Sequence, residues 1–133
     1  MAWTPQLLAE AVQTLPELNI DIEYNEQSLI IKMNDYGDLS LGILFTSRQI
    51  IITVICPVCS INQKNEFNIF LLRNQKLLPL SSVGISRVQQ DEYYVAFGAL
   101  SLNSSLDDVV LEMTTLAENA LDLAEITEEY THE

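Results

Sequence analysis

Residues 18–56 read LNIDIEYNEQSLIIKMNDYGDLSLGILFTSRQIIITVIC, and this run decides the architecture. Ile20, Ile22 and Tyr24 alternate with Asp21 and Glu23, the period of two expected of a strand with one wet face. Asn25, Glu26 and Gln27 make a turn, after which Leu29, Ile31 and Met33 resume the alternation. A second turn, Asn34 to Asp38, leads to a third strand from Leu39 to Phe45, with Leu39, Leu41, Ile43 and Phe45 on one side. A tight reversal at Thr46 to Gln49 then delivers Ile50 to Cys56, which is β-branched and apolar on both faces. That composition marks the central or most covered strand. Consecutive strands joined by short turns pair antiparallel.

The flanks are helical. Thr4 before Pro5 is a start signal, a hydroxyl acceptor followed by a ring already at helical φ. Leu7, Leu8, Ala11, Val12 and Leu15 recur at helical spacing, and Pro16 blocks extension, so a helix is expected over 5–15. Beyond the fourth strand, Pro57 is expected to end the extended run. A helix follows over 62–72 through Phe67, Phe70 and Leu71. Val83 to Val88 and Tyr93 to Phe97 form a second hairpin about the polar turn Gln89 to Glu92. Ser104 or Ser105 then caps a long amphipathic helix. Its inner stripe is Leu106, Val109, Val110, Met113, Leu116, Ala117, Ala120, Leu121 and Ala124. The fold class is therefore α+β, with a mainly antiparallel sheet of about six strands in the order α-β-β-β-β-α-β-β-α. Residues 1–126 are expected to form one domain and 127–133 an acidic, flexible tail.

Composition narrows the partners. The 133 residues are 48% apolar and carry a net charge of −13. Such a chain repels nucleic-acid phosphates and anionic lipid headgroups, and its six cations (Lys32, Arg48, Lys64, Arg73, Lys76, Arg87) form no basic stripe. Neither nucleic-acid binding nor membrane insertion is expected. The longest strongly apolar stretch, 49–56, is too short to span a bilayer. Ala2 to Ala9 holds no basic region leading into an apolar one, and two cysteines do not build an extracellular framework. A cytoplasmic location is expected.

Catalytic candidates are few. Cys56-Pro57-Val58-Cys59 is a CxxC placed between a strand and a helix, where a helix N-terminus would lower a thiol's pKa. The strands before it meander, no aromatic precedes Cys56, and a zinc site lacks its remaining ligands. Incidental thiols are the main reading, with a thiol-redox or metal-responsive role for Cys56 and Cys59 as the alternative. His132 is the only histidine and lies in the terminal segment, where no nucleophile can be held against it. Four glycines leave no phosphate-cradling loop. No enzyme, cofactor or metal is expected.

The carboxylates are distributed unevenly. Residues 104–133 hold nine of the 19 acids (Asp107, Asp108, Glu112, Glu118, Asp122, Glu125, Glu128, Glu129 and Glu133) and no Lys or Arg. A solvated helix face accounts for most of this. The sharper reading makes Glu118, Asp122, Glu125 and Glu128 a docking face for a basic or amphipathic segment of a protein partner.

Two blocks are less generic. Leu78-Pro79-Leu80-Ser81-Ser82-Val83-Gly84-Ile85 leads into the second hairpin, and Phe97-Gly98-Ala99-Leu100-Ser101 leaves it, followed by Ser104-Ser105-Leu106. Their serines suit capping, and Gly98 suits a bulge or a close approach. With Trp3, the strand Gln49-Ile50-Ile51-Ile52 and the acidic last helix, these blocks make the chain resemble the YjfI family of small bacterial proteins, a domain of unknown function. The resemblance spans nearly the whole chain. It implies no catalytic residues. It does imply an accessory or regulatory partner role, since family members tend to be encoded near phage-shock-type membrane-remodelling proteins. The element order is also similar to type III secretion chaperones and YbjN-like proteins, which are small, acidic and often dimeric. That likeness, at the level of fold alone, implies a chaperone-like adaptor working as a homodimer.

Overall fold

Local signals in the chain set each element before packing joins them. The computed structural model describes residues 2–60, 65–77, 80–88 and 90–131, excluding the side chains of 55–60, 65–67, 77, 88, 91 and 126–131. Helix α1 (Pro5–Gln13) begins where Thr4 turns extended and its hydroxyl accepts from the Leu7 amide at 3.2 Å. Strands β1 (Ile20–Tyr24) and β2 (Ser28–Met33) are joined by a turn in which the Asn25 side-chain oxygen accepts from the Gln27 and Ser28 amides. After β2, Gly37 and Asp38 both take positive φ, reversing the chain into β3 (Leu39–Phe45). Strand β4 (Gln49–Ser60), helix α2 (Asn65–Asn74), strands β5 (Ser82–Val88) and β6 (Asp91–Ser101) and helix α3 (Leu106–Thr131) complete the order.

The sheet runs β1-β2-β3-β4-β6-β5, antiparallel throughout. The expected α+β class and element order hold, with β4 interior. Register explains the core. Leu29, Ile31 and Met33 lie opposite Ile43, Leu41 and Leu39, and Ile43 lies opposite Ile52, so one set of alternate residues shares a face. Onto that face pack Leu8, Ala9 and Val12 of α1, Phe70 and Leu71 of α2, and Val109, Met113, Leu116, Ala120 and Leu123 of α3. The other set faces away, leaving Ile30 and Leu44 about half exposed. Trp3 fastens the start of the chain to the entry of α3, its ring N–H donating to the Ser104 carbonyl at 2.7 Å and its amide to Leu102.

The structure corrects several expectations. Pro57 does not end the fourth strand. The β4–β6 ladder is regular from Gln49↔Ser101 to Ile55↔Val95 and resumes at Ser60↔Tyr93 after an irregularity, where a residue without an N–H is tolerated. The second hairpin is tighter than expected, since Val88 pairs with Asp91 and places Asp91 and Glu92 in β6. Strand β6 also runs on through Gly98 to Ser101, because the long β4 is there to pair with it. Leu121 is not a core residue. Leu123, seven positions beyond Leu116, continues its line, whereas five positions turn Leu121 about 140° away and leave it 43% exposed. Helix α2 starts and stops two to three residues later than expected, and α3 continues to Thr131 through most of the segment read as a tail.

Candidate functional site

Helix α3 carries the candidate docking residues, and its own caps and core fix how it presents them. Ser105 starts it, its hydroxyl accepting from the Asp108 amide at 3.1 Å and its carbonyl from Val109. Asp107 and Asp108 place negative charge at the positive end of the helix dipole. With the inner face buried on β3, β4 and β6, the opposite face is committed to solvent.

Three of the four expected carboxylates meet on that outer face. Glu118, Asp122 and Glu125 are exposed at i, i+4 and i+7, one stripe of the helix. Glu128 lies in the same helix, but its side chain falls outside the described residues. Leu111, seven residues before Glu118, is 53% exposed on the same stripe, and the exposed Leu121 flanks it between Glu118 and Glu125. The surface is therefore acidic and apolar together, which the sequence reading missed by assigning Leu121 to the core.

Cys56 and Cys59 lie in the last part of β4, not at a strand-to-helix junction. Their side chains, and the whole of His132, lie outside the described residues. Among the described residues, no group of three or more His, Cys, Asp or Glu could hold a metal ion. No helix there is long and apolar enough to cross a membrane.

Two polar residues on the inner side of α3 were not anticipated. Asn119 is buried and donates to the Ser81 hydroxyl at 2.9 Å, tying the helix to the entry of β5. Glu112 is only 4% exposed and lies across Gly98 of β6, where an added Cβ would stand 1.8 Å from its Oε1. Burial pushes the Glu112 carboxyl above the usual carboxylate range. The close approach expected at Gly98 is thus made by a side chain. Gly98 signalled that something would come near, but no sequence signal named Glu112 as the visitor.

Among the described residues, a six-stranded antiparallel sheet backed on one face by three helices, the last long and acid-faced, defines a small α+β protein. The chain belongs to the family described as "Uncharacterized protein conserved in bacteria (DUF2170)", which matches residues 2–131. It is similar to the "Uncharacterized protein YjfI" of Escherichia coli (strain K12), with 69% identity over 133 residues covering 99% of this chain and 100% of that protein. The "Uncharacterized protein YjfI" of Escherichia coli O157:H7 matches to the same extent. The resemblance carried by the segments around Ser81 and Gly98 is therefore a family relationship.

Proposed function

We propose that this member of a conserved bacterial family is a non-enzymatic protein-interaction module, a cytoplasmic regulatory adaptor that docks a basic amphipathic segment on the outer face of α3. One observation carries the reading. Leu111 and Leu121 stand exposed beside Glu118, Asp122 and Glu125 on a helix whose other face is locked into the core. Carboxylates repelling one another on a cation-free helix cost stability unless solvent or a partner offsets them, and exposed leucines gain by being covered. A helix with lysines or arginines flanking an apolar stripe meets both demands.

The test is capture of a phage-shock-type membrane-remodelling protein, the partner class that the resemblance implies. Asp122→Asn with Glu118→Gln and Glu125→Gln should slow association and flatten its salt dependence, since attraction fades as the Debye length falls from about 10 Å at 0.1 M salt to about 3 Å at 1 M. Leu111→Ser should speed dissociation. Unchanged kinetics in both variants would sink the reading.

We further propose that the adaptor works as a homodimer through the uncovered sheet face, where Ile30 and Leu44 are 47% and 49% exposed around the bare Gly42. Ile30→Glu together with Leu44→Glu should convert a dimer to a monomer in sedimentation equilibrium, and a wild type already monomeric at 100 μM would refute this part.

A further inference from the structure

Register arranges the uncovered sheet face in rows. Ile30, Gly42, Thr53, Phe97 and Ser82 stand abreast across β2, β3, β4, β6 and β5. Leu44, Ile51 and Ala99 form the neighbouring row on the same face. Large and small residues are therefore placed evenly on the two sides of β4. Gly42 on one side is matched by Phe97 on the other, Leu44 by Ala99, and Ile30 by Ser82.

The relief follows the same pattern. A hollow of about 600 Å³ surrounds Gly42, bordered by Ile30, Ser40 and Thr53, with Asp38 at its rim. Phe97, half-buried, supplies a projection of matching kind. Its ring leans from β6 towards β5 over Gly84, where an added Cβ would stand 3.3 Å from the Phe97 Cε1. The ring's place between β6 and β5 mirrors, across β4, the hollow's place between β3 and β2.

Charge points to the same occupant. Two copies, each of net charge −13, repel one another wherever carboxylates meet. No described side chain on this face of β3, β4, β5 or β6 is charged. The charges on this side are Asp21, Glu23 and Lys32 on β1 and β2, with Asp38 in the turn before β3, all towards the margin. Such a face gives a basic partner little to hold, and it gives a like-charged copy an approach without close repulsion.

Resting on the homodimer reading above, we propose that two copies stack face to face about a twofold axis running along β4. The rotation lays β4 on its mate, β3 on β6 and β2 on β5, and it leaves β1 overhanging. Each Phe97 enters the Gly42 hollow of the other copy, each Leu44 stands over Ala99, and each Ile30 over Ser82. Ile51 and Thr53 meet their own counterparts on the axis. Lys32 lies over the uncharged face of β5, and the β1 carboxylates hang outside the contact. The arrangement is isologous, closes at two copies and keeps the strands of the two sheets aligned. Strands β2 to β6, about 4.8 Å apart and at least six residues long, give an overlap of roughly 24 by 20 Å in plan. With side-chain relief added, that approaches the roughly 800 Å² each partner buries in a standard interface.

Sedimentation equilibrium of the full chain tests the pairing, with circular dichroism to check that each variant folds. Gly42→Leu fills the hollow and Ala99→Leu collides with Leu44, so each should weaken the dimer about tenfold or more. Both positions are exposed, and a Cβ at Gly42 meets nothing nearer than the Thr53 carbonyl at 3.9 Å, so the monomer accommodates them. Trimming the residue across the axis should restore affinity to within about threefold of wild type: Phe97→Ala in the Gly42→Leu chain, and Leu44→Ala in the Ala99→Leu chain. The crossed pairs, Gly42→Leu with Leu44→Ala and Ala99→Leu with Phe97→Ala, should stay weak. A dimer that Ile30→Glu with Leu44→Glu abolishes but Gly42→Leu leaves unchanged overturns the axis and leaves the homodimer standing. Equal rescue by the crossed pairs does the same. A monomeric wild type, or a dimer indifferent to every one of these substitutions, overturns both.

Discussion

Leu116→Ala should lower folding stability by about 2–5 kcal/mol, with Leu121→Ala costing less than about 1 kcal/mol on the same helix. Leu116 is fully buried in the cluster formed with Met113, Ala120, Ile50 and Ile52, where the sheet and α3 exclude water from both sides. Removing its isobutyl group forfeits the transfer free energy of the missing carbons and leaves a cavity that a β-sheet floor cannot collapse to fill. Leu121 keeps nearly half of its surface in water, so truncation there removes little buried area. Urea unfolding of the two variants decides it. Equal losses would mean that the helix is rotated from the orientation described, and a larger loss at Leu121 would invert the inner and outer faces.

The same pair of leucines shows how far the sequence could be read. Period-2 alternation from Ile20 to Phe45 specified the strands and their buried residues, because a register slip of one would have turned Leu29, Ile31 and Met33 into water. Helix α3 was equally plain in its existence, but not in its exact rotation. An apolar residue on a helix flank costs little wherever it points, so Leu121 could be assigned to either side until Leu123 was seen in the core. Strand ends were hidden for another reason. Pro57 is a strong local stop, and only pairing with the long β6 on both sides of an irregularity in β4 carries the extended chain past it. The docking residues were legible as charges, yet the leucines that make their face amphipathic were not. The hollow around Gly42 was invisible, since it arises from strands brought together only in the fold.

The Glu112–Gly98 contact gives the other large effect, measurable as a coupling. Gly98→Ala places a methyl group 1.8 Å from where Glu112 Oε1 now lies, so the carboxylate must swing away and reopen the seam between α3 and β6. A cost of about 1–3 kcal/mol is expected, the ordinary penalty of overpacking an ordered interior. In a Glu112→Ala background the same methyl group enters vacated space, and the cost should fall to near zero. The difference between the two is the interaction energy of the pair. Acidity supplies an independent reading of the same carboxyl. Burial raises its folded pKa above the unfolded value, so the native state holds this proton more tightly. Stability contributed by this group therefore rises as pH falls from 7 through the raised folded pKa, and levels off once the unfolded carboxyl is protonated as well, below about pH 4. Glu112→Gln removes that dependence. It should be more stable than wild type at pH 7, with the advantage disappearing as the pH approaches 4. Denaturant midpoints of the four cycle members and of Glu112→Gln across this range test both halves. If Gly98→Ala costs the same with or without Glu112, or if Glu112→Gln is less stable than wild type at pH 7, then the glycine is required by the strand itself and the carboxylate is held there by a favourable interaction that offsets its burial.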